Sequence, residues 1–408
     1  MNTISESPAY SAPQAEAPAR RTPLHKLDAL TGCRFFAALA VVGYHYVPAS
    51  LRTNLLVREI LEHGFVSVSF FFALSGFVLT YNYAQQNPLN SNKFWLARFA
   101  RIYPMYFIAL ALVGIFAVLS RHSNYWQTHS AQFILGGILS LFCLQAWLPQ
   151  TALCWNFPGW SLSCEAFFYA CFPFLLKRLK TLQTKATLVL SGLCWLAALA
   201  LPLVFVAAGP FVSATGWATE ANRTLDDLWI SYAPITQLPA FAFGICLGLL
   251  FLRHRKIGTG HSWLQEAALI AALVATLALF HFGPHKMLFN NGLLLPVFGV
   301  FIYCLAAGRS ALAAFLGTAP LRVLGDASYA MYILQAPLWG LTRYVMAALH
   351  VGNADDKQSL PYFLVFLALL LSASVLGSIY AEPFIRVRII SLFAERNSAR
   401  ESRVPSAA

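Results

Sequence analysis

The sequence predicts an all-α, polytopic membrane helix bundle, with about 10 transmembrane helices plus one short or re-entrant helix. Three observations lead there. Hydrophobic residues make up 58% of the 408-residue chain and charged residues only 11%, well under the roughly 25% of a soluble domain. Apolar runs of about 20 residues recur along it, each long enough to span a bilayer as a helix. The basic residues behind the net charge of +12 fall in short clusters between those runs. Positive-inside topology demands that distribution, and nucleic-acid binding is not needed to explain it.

Residues 1–22 are rich in Ala, Pro, Ser and Glu and lack the apolar core of a cleaved signal peptide. They read as a disordered cytoplasmic tail. The transmembrane domain is expected over 23–388, with a basic cytoplasmic tail at 389–408. Its first span, Leu27 to Pro48, carries Arg34 and His45 inside an apolar run. An ionisable group at membrane depth is costly without a partner or a wet cavity, which makes each a functional candidate. Eleven residues are almost a whole number of turns, so both share one face, about 16 Å apart along the axis. Snorkelling of Arg34 and a packing role for His45 account for either residue alone. Together they suit a substrate lying along the helix, its charged end at Arg34 and its reacting end at His45.

The second span, Gly64 to Tyr83, contains F-F-A-L-S-G-F, where Ser75 and Gly76 admit another backbone or a thin ligand at close range. A third run follows Arg98 and Arg101. Three residues apart, these two share a helix face and can converge on one phosphate, although positive-inside anchoring also explains them. Further spans are expected at about Gly159–Leu176, Thr184–Ala208, Ile230–Leu252, Leu264–Phe282, Leu288–Ala307, Ser328–Leu349 and Leu360–Ala381. The shorter piece Ala131–Trp147 is read as not crossing. With the N-terminus inside, 20 of the 28 Lys and Arg residues are then cytoplasmic and 6 are outside, with Arg34 and Arg343 in the membrane.

In that topology Glu165 enters from the outer face at the depth of His45, and its carboxylate is expected to orient the imidazole. Trp160 fits an interfacial aromatic, and Tyr169 lies one turn beyond Glu165. Asp326 and Ser328 read as N-terminal capping groups, while Tyr329 and Tyr332 can hydrogen-bond a substrate. Glu382 and Arg386, four apart, are placed to pair. The eight cysteines are scattered without a C-x-x-C pair and read as packing residues, with no metal site expected and a Cys154–Cys164 bridge left open.

Six segments carry a resemblance: L-D-A-L-T-G-C-R-F-F-A-A-L-A-V-V-G-Y-H, F-F-F-A-L-S-G-F-V-L-T, R-F-A-R-I-Y-P-M-Y, W-S-L-S-C-E-A-F-F-Y-A-C-F-P, L-G-D-A-S-Y-A-M-Y-I-L and Y-A-E-P. In this order, from about residue 27 to 386, the chain resembles the acyltransferase-3 family of integral membrane O-acyltransferases of bacterial cell-surface polysaccharides. The resemblance implies a cytoplasmic acyl-CoA, most simply acetyl-CoA, as donor substrate, with no permanently bound cofactor. It implies a carbohydrate or glycolipid acceptor reached from the other face. Arg34, Arg98 and Arg101 match the family's donor-binding positions, His45 its catalytic histidine and Glu165 its W-S-L-x-x-E glutamate. Ser75, Trp160, Tyr169, Ser328, Tyr329 and Tyr332 are further candidates for substrate binding. Where the family often has a histidine in Y-L-x-H-x-P, this chain has Gln335, a departure expected to leave the His45 site untouched. The expected setting is the bacterial inner membrane, with both termini cytoplasmic, among membrane lipids and with glycan-biosynthesis partners or a second copy as possible company. A transporter or flippase of a lipid-linked sugar is the alternative, since it could use the same buried Arg, His and Glu as a polar path.

Overall fold

In a bilayer every backbone N–H and C=O must be satisfied within the protein, and a chain built from long apolar runs meets that demand with helices. The computed structural model describes residues 26–86, 88–119, 124–215, 220–254, 262–283, 286–348 and 359–401. Its helices are α1 (Asp28–Tyr46), α2 (Leu55–Glu62), α3 (Ser67–Tyr83), α4 (Ser91–Leu119), α5 (Asn124–Leu141), α6 (Trp160–Leu179), α7 (Thr184–Thr215) and α8 (Glu220–Tyr232). They continue as α9 (Pro234–His254), α10 (Trp263–Phe282), α11 (Lys286–Asn290), α12 (Leu295–Ala307), α13 (Ala311–Leu316), α14 (Ala319–Ala348), α15 (Leu360–Leu376) and α16 (Glu382–Glu401). No strand occurs among the described residues. The predicted tail at 1–22 lies outside them.

Eight helical stretches among the described residues are long and apolar enough to cross a membrane, and the chain is a multi-pass membrane protein. The ten expected spans are reached only by adding α1 and α14, of 19 and 30 residues. Those two fall short in hydropathy because they carry the polar groups: Asp28, Arg34 and His45 on α1, and Arg322, Asp326, Gln335 and Arg343 on α14. They pack against each other. Gly325 makes the approach possible, since a Cβ there would lie 1.9 Å from the Thr31 carbonyl oxygen. Arg322 and Asp28 bridge the same pair of helices at 2.8 Å.

The α3–α9 crossing is as tight. A Cβ on Gly76 would lie 2.2 Å from the Phe241 carbonyl oxygen, and one on Gly244 would lie 2.0 Å from that of Ala73. Gly76 therefore serves helix packing, which leaves its neighbour Ser75 facing a cavity. Because the obstacle at Gly244 is backbone, Gly244→Val cannot be absorbed by a rotamer change. It is expected to cost about 3 kcal/mol or more and to remove the monodisperse peak in fluorescence-detected size exclusion, with no such effect for Gly340→Ala, where a Cβ meets open space.

Two prolines inside helices free carbonyls that side chains from elsewhere then take up. Pro337 cannot donate to Ile333 O, and the Asn156 amide does so at 2.9 Å. Pro173 likewise releases Tyr169 O, which accepts from Trp95 Nε1 at 2.9 Å. These bonds fix the backbone at the turns that carry Gln335 and Tyr169.

The short piece expected at Ala131–Trp147 ends its helix earlier, at Leu141. Cys143 has φ +55°, a left-handed conformation that stops a helix. The following loop folds back on α5, with Trp155 Nε1 donating to Phe133 O at 2.7 Å. All eight cysteines are free, so the possible Cys154–Cys164 bridge is not formed. The Cys164 thiol instead lies 3.4 Å from Tyr232 O. The Ser328 segment was expected to open a helix, but α14 already begins at Ala319. Asp326 and Ser328 are therefore interior residues and not caps, and the Ser328 hydroxyl donates back to Gly325 O at 2.6 Å.

Candidate functional site

Five helices bring the three predicted arginines into one chamber of about 130 Å³. Arg34 comes from α1, Ser75 from α3, Arg98 and Arg101 from α4, Glu165 and Tyr169 from α6, and Tyr329 from α14. The i, i+3 spacing on α4 does turn both guanidiniums inward. Arg98 stacks over Tyr83 at 5.9 Å, and its buried Nε has no hydrogen-bond partner. Arg101 pairs with Glu382 of α16, which is 3% exposed. The Glu382–Arg386 pair expected from four-residue spacing is thus replaced by one between residues 281 apart.

Glu165 is the main correction. It lines this chamber and accepts a hydrogen bond from Tyr169 Oη at 3.2 Å, and it lines neither cavity at His45. Helix α6 starts at Trp160, so Glu165 sits about 7 Å further along the axis, level with the arginines. Trp160, expected as an interfacial aromatic and as a candidate for substrate binding, is the α6 residue that reaches the His45 cavity. Its ring meets Tyr232 edge-on at 4.8 Å and Phe72 at 5.9 Å.

His45 stands in the last turn of α1, with Phe157 edge-on at 4.7 Å. It borders two cavities. One, of about 290 Å³, also holds Tyr44, Trp160, Tyr232, Lys286, Tyr332 and Gln335. The other, of about 440 Å³, is lined by Tyr46, Pro48, Arg52, Phe157 and Trp339. The terminal carbonyls of α1 have no intrahelical partners, and Arg52 supplies them. Its Nη2 lies 3.1 Å from Tyr44 O and 3.2 Å from Val47 O. The guanidinium also complements the helix dipole there and holds the turn that presents His45.

Two residues at this end escaped the sequence reading. Lys286 counted only as an outside charge, yet its ammonium donates to Tyr44 Oη at 2.7 Å beside His45. Gln335 was expected to leave the His45 site untouched; it lines the same cavity. It is fully buried, with Nε2 donating to Tyr332 O at 2.7 Å and Oε1 unpartnered. The one available signal was its position in a segment where the resembled family often has histidine.

A neck of about 50 Å³ lies between the two ends and has lining residues in common with both. It shares Arg34, Phe71, Glu165 and Tyr329 with the chamber, and Val68 and Tyr332 with the His45 cavity. Ser328 also lines it. Tyr329 Oη donates to Ile102 O at 2.7 Å and Tyr332 Oη to Pro158 O at 3.3 Å, which ties α14 to α4 and to the start of α6. The six residues proposed for substrate binding are therefore strung along one path. Ser75 and Tyr169 lie in the chamber, Ser328 and Tyr329 at the neck, Tyr332 at its far end and Trp160 beyond.

The Acyl_transf_3 family, described as an acyltransferase domain, matches residues 27–381. Acyltransferase MdmB of Streptomyces mycarofaciens is 30% identical over 259 residues, covering 60% of this chain and 62% of that protein. Peptidoglycan O-acetyltransferase OatA of Listeria monocytogenes is 24% identical over 345 residues, 78% of this chain and 50% of that one. O-acetyltransferase OatA of Staphylococcus aureus is 24% identical over 336 residues, 76% and 50% respectively. The chain thus spans between 50% and 62% of the length of these relatives. No solved structure matches it significantly. With nearly every described transmembrane helix inside the matched region, the chain belongs to the Acyl_transf_3 family of acyltransferase domains.

Proposed function

We propose that the protein transfers an acyl group, most simply acetyl, from a cytoplasmic acyl-CoA to a hydroxyl of a cell-surface or lipid-linked carbohydrate. The observation that carries this reading is the row of three neighbouring cavities, with lining residues in common, that runs from three guanidiniums to His45. Guanidiniums are the natural partners of phosphate, and the rise along α1 from Arg34 to His45 is within reach of a pantetheine arm. The O-acetyltransferases among the relatives favour acetyl and a glycan hydroxyl.

In this mechanism the coenzyme phosphates rest in the arginine chamber, which opens towards the cytoplasm of a bacterium whose inner membrane holds the protein, both termini inside. The thioester passes the neck and meets the acceptor at His45. The neutral imidazole takes the hydroxyl proton as the oxygen attacks the carbonyl carbon. The tetrahedral intermediate then collapses, the C–S bond breaks, and the imidazolium returns its proton to the departing thiolate. Glu165 does not orient His45 in this scheme. It offsets the charge of the guanidiniums, so that Arg34, Arg98 and Arg101 can lie close together before the phosphates arrive.

The test is thiol release from radiolabelled acetyl-CoA by purified protein in nanodiscs, with and without a crude cell-surface glycan extract. Arg98→Ala removes a charged donor to phosphate and is expected to raise KM for the coenzyme about tenfold or more, with a smaller change in kcat. Absence of both turnover and calorimetric coenzyme binding in the wild type would overturn the reading and favour transport of a lipid-linked sugar.

A further inference from the structure

The acceptor side of His45 has a charge signature of its own. In the cavity of about 290 Å³, Lys286 is the only Lys, Arg, Asp or Glu among the described lining residues. Its ammonium is 2.7 Å from Tyr44 Oη, at the hydroxyl edge of that ring, and 5.0 Å from the centroid of the Phe65 ring. An aromatic corner of this kind steadies a cation without neutralising it. One of three ammonium donors is used, and no carboxylate stands within ion-pair distance among the described residues. A second, independent feature faces the same space. Gln335 is 0% exposed and its Oε1 has no hydrogen-bond partner. A buried acceptor left empty is costly, and a turn of the Gln335 amide toward the cavity it lines would let a ligand hydroxyl satisfy it. Trp160 and Tyr232 add aromatic surface on which a sugar ring can lie.

The donor does not need this cation. Under the proposed function its phosphates sit at Arg34, Arg98 and Arg101, about 16 Å away along α1, and the thioester that reaches His45 is neutral. Arg52, on the other flank of His45, already has its guanidinium on the α1 carbonyls.

We propose that the Lys286–Gln335 cavity is an acceptor subsite for an anionic carbohydrate, whose carboxylate or phosphate is held by Lys286 while one of its hydroxyls donates to Gln335 Oε1. This rests on the acyltransferase reading, and it narrows the acceptor from carbohydrates at large to acidic ones. The anion would fix the sugar so that the hydroxyl to be acylated faces His45.

The experiment uses two probes that differ only in charge: trigalacturonate, and the same trisaccharide after reduction of its carboxyl groups. Binding to the full chain in nanodiscs is measured without coenzyme, and transfer is then followed with radiolabelled acetyl-CoA. The wild type is expected to bind the acid about tenfold more tightly than its neutral counterpart. Lys286→Gln should lose that preference, Lys286→Arg should keep most of it, and 0.5 M salt should weaken it in the wild type. Equal binding of the two probes by the wild type, or an unchanged preference in Lys286→Gln, overturns the subsite. So does a loss of kcat in Lys286→Gln that is equal for both acceptors, since the lysine would then act on the reacting carbonyl. A preference for the acid in binding, lost in Lys286→Gln, with no transfer to any acceptor, upholds the subsite and overturns the acyltransferase reading instead.

Discussion

His45→Ala is expected to lower acyl transfer by about a thousandfold or more while the chain still inserts and runs as a single species in detergent. A positioned general base contributes roughly 10²–10⁴ to such a reaction, and nothing among the lining side chains at the His45 end can replace it. Gln335 has no basic nitrogen, Lys286 carries an ammonium, and Tyr44, Tyr232 and Tyr332 offer only phenol hydroxyls. Folding should survive, because the imidazole borders two cavities and gives up aromatic contacts more than buried volume. Coenzyme binding should survive too, since the arginine chamber lies at the other end of α1. The check is a pair of measurements on one preparation, radiolabel transfer and calorimetric binding of acetyl-CoA. Transfer within tenfold of wild type would remove His45 from the chemistry. Loss of transfer together with loss of binding would mean that the two ends are not separate.

Glu382→Gln is expected to destabilise the fold strongly. The carboxylate is 3% exposed and pairs with Arg101, whose side chain is 26% exposed. Removing one partner of such a pair leaves a largely desolvated charge behind, at a cost of about 3 kcal/mol. Here the cost is compounded because Arg34 and Arg98 line the same chamber, and an unpaired Arg101 faces like charges. The apparent Tm in a thermofluor or scintillation assay should fall by several degrees, and addition of coenzyme should recover part of the loss by supplying the missing negative charge. Arg101→Gln combined with Glu382→Gln should be more stable than Glu382→Gln alone, since the buried charge leaves with its partner. If the double variant is no better than the single one, the pair is not what holds α16 against α4.

Much of this protein follows from its sequence because a membrane leaves few choices. Composition and the spacing of basic clusters lead to a helical bundle, since lipid offers the backbone no hydrogen bonds. Helical periodicity, a property of one segment at a time, puts Arg34 and His45 on one face and Arg98 and Arg101 on another; the three arginines line one cavity and His45 borders others. What the sequence does not encode locally is how far one helix slides and turns against the next. That is settled where Gly325 meets Thr31 and where Gly244 meets Ala73, contacts between segments far apart in the chain. A slide of a turn and a half moved Glu165 from the imidazole to the arginines and brought Trp160 to His45 instead. The same tertiary contacts chose Arg101 over Arg386 for Glu382 and set Lys286 and Gln335 beside His45, while Asp326 and Ser328 fall in the interior of a helix that starts earlier. The residue types along each helix came from sequence; their depth and their partners came from backbone-to-backbone packing, because in lipid close van der Waals fit, and not hydrophobicity, decides which helix faces meet.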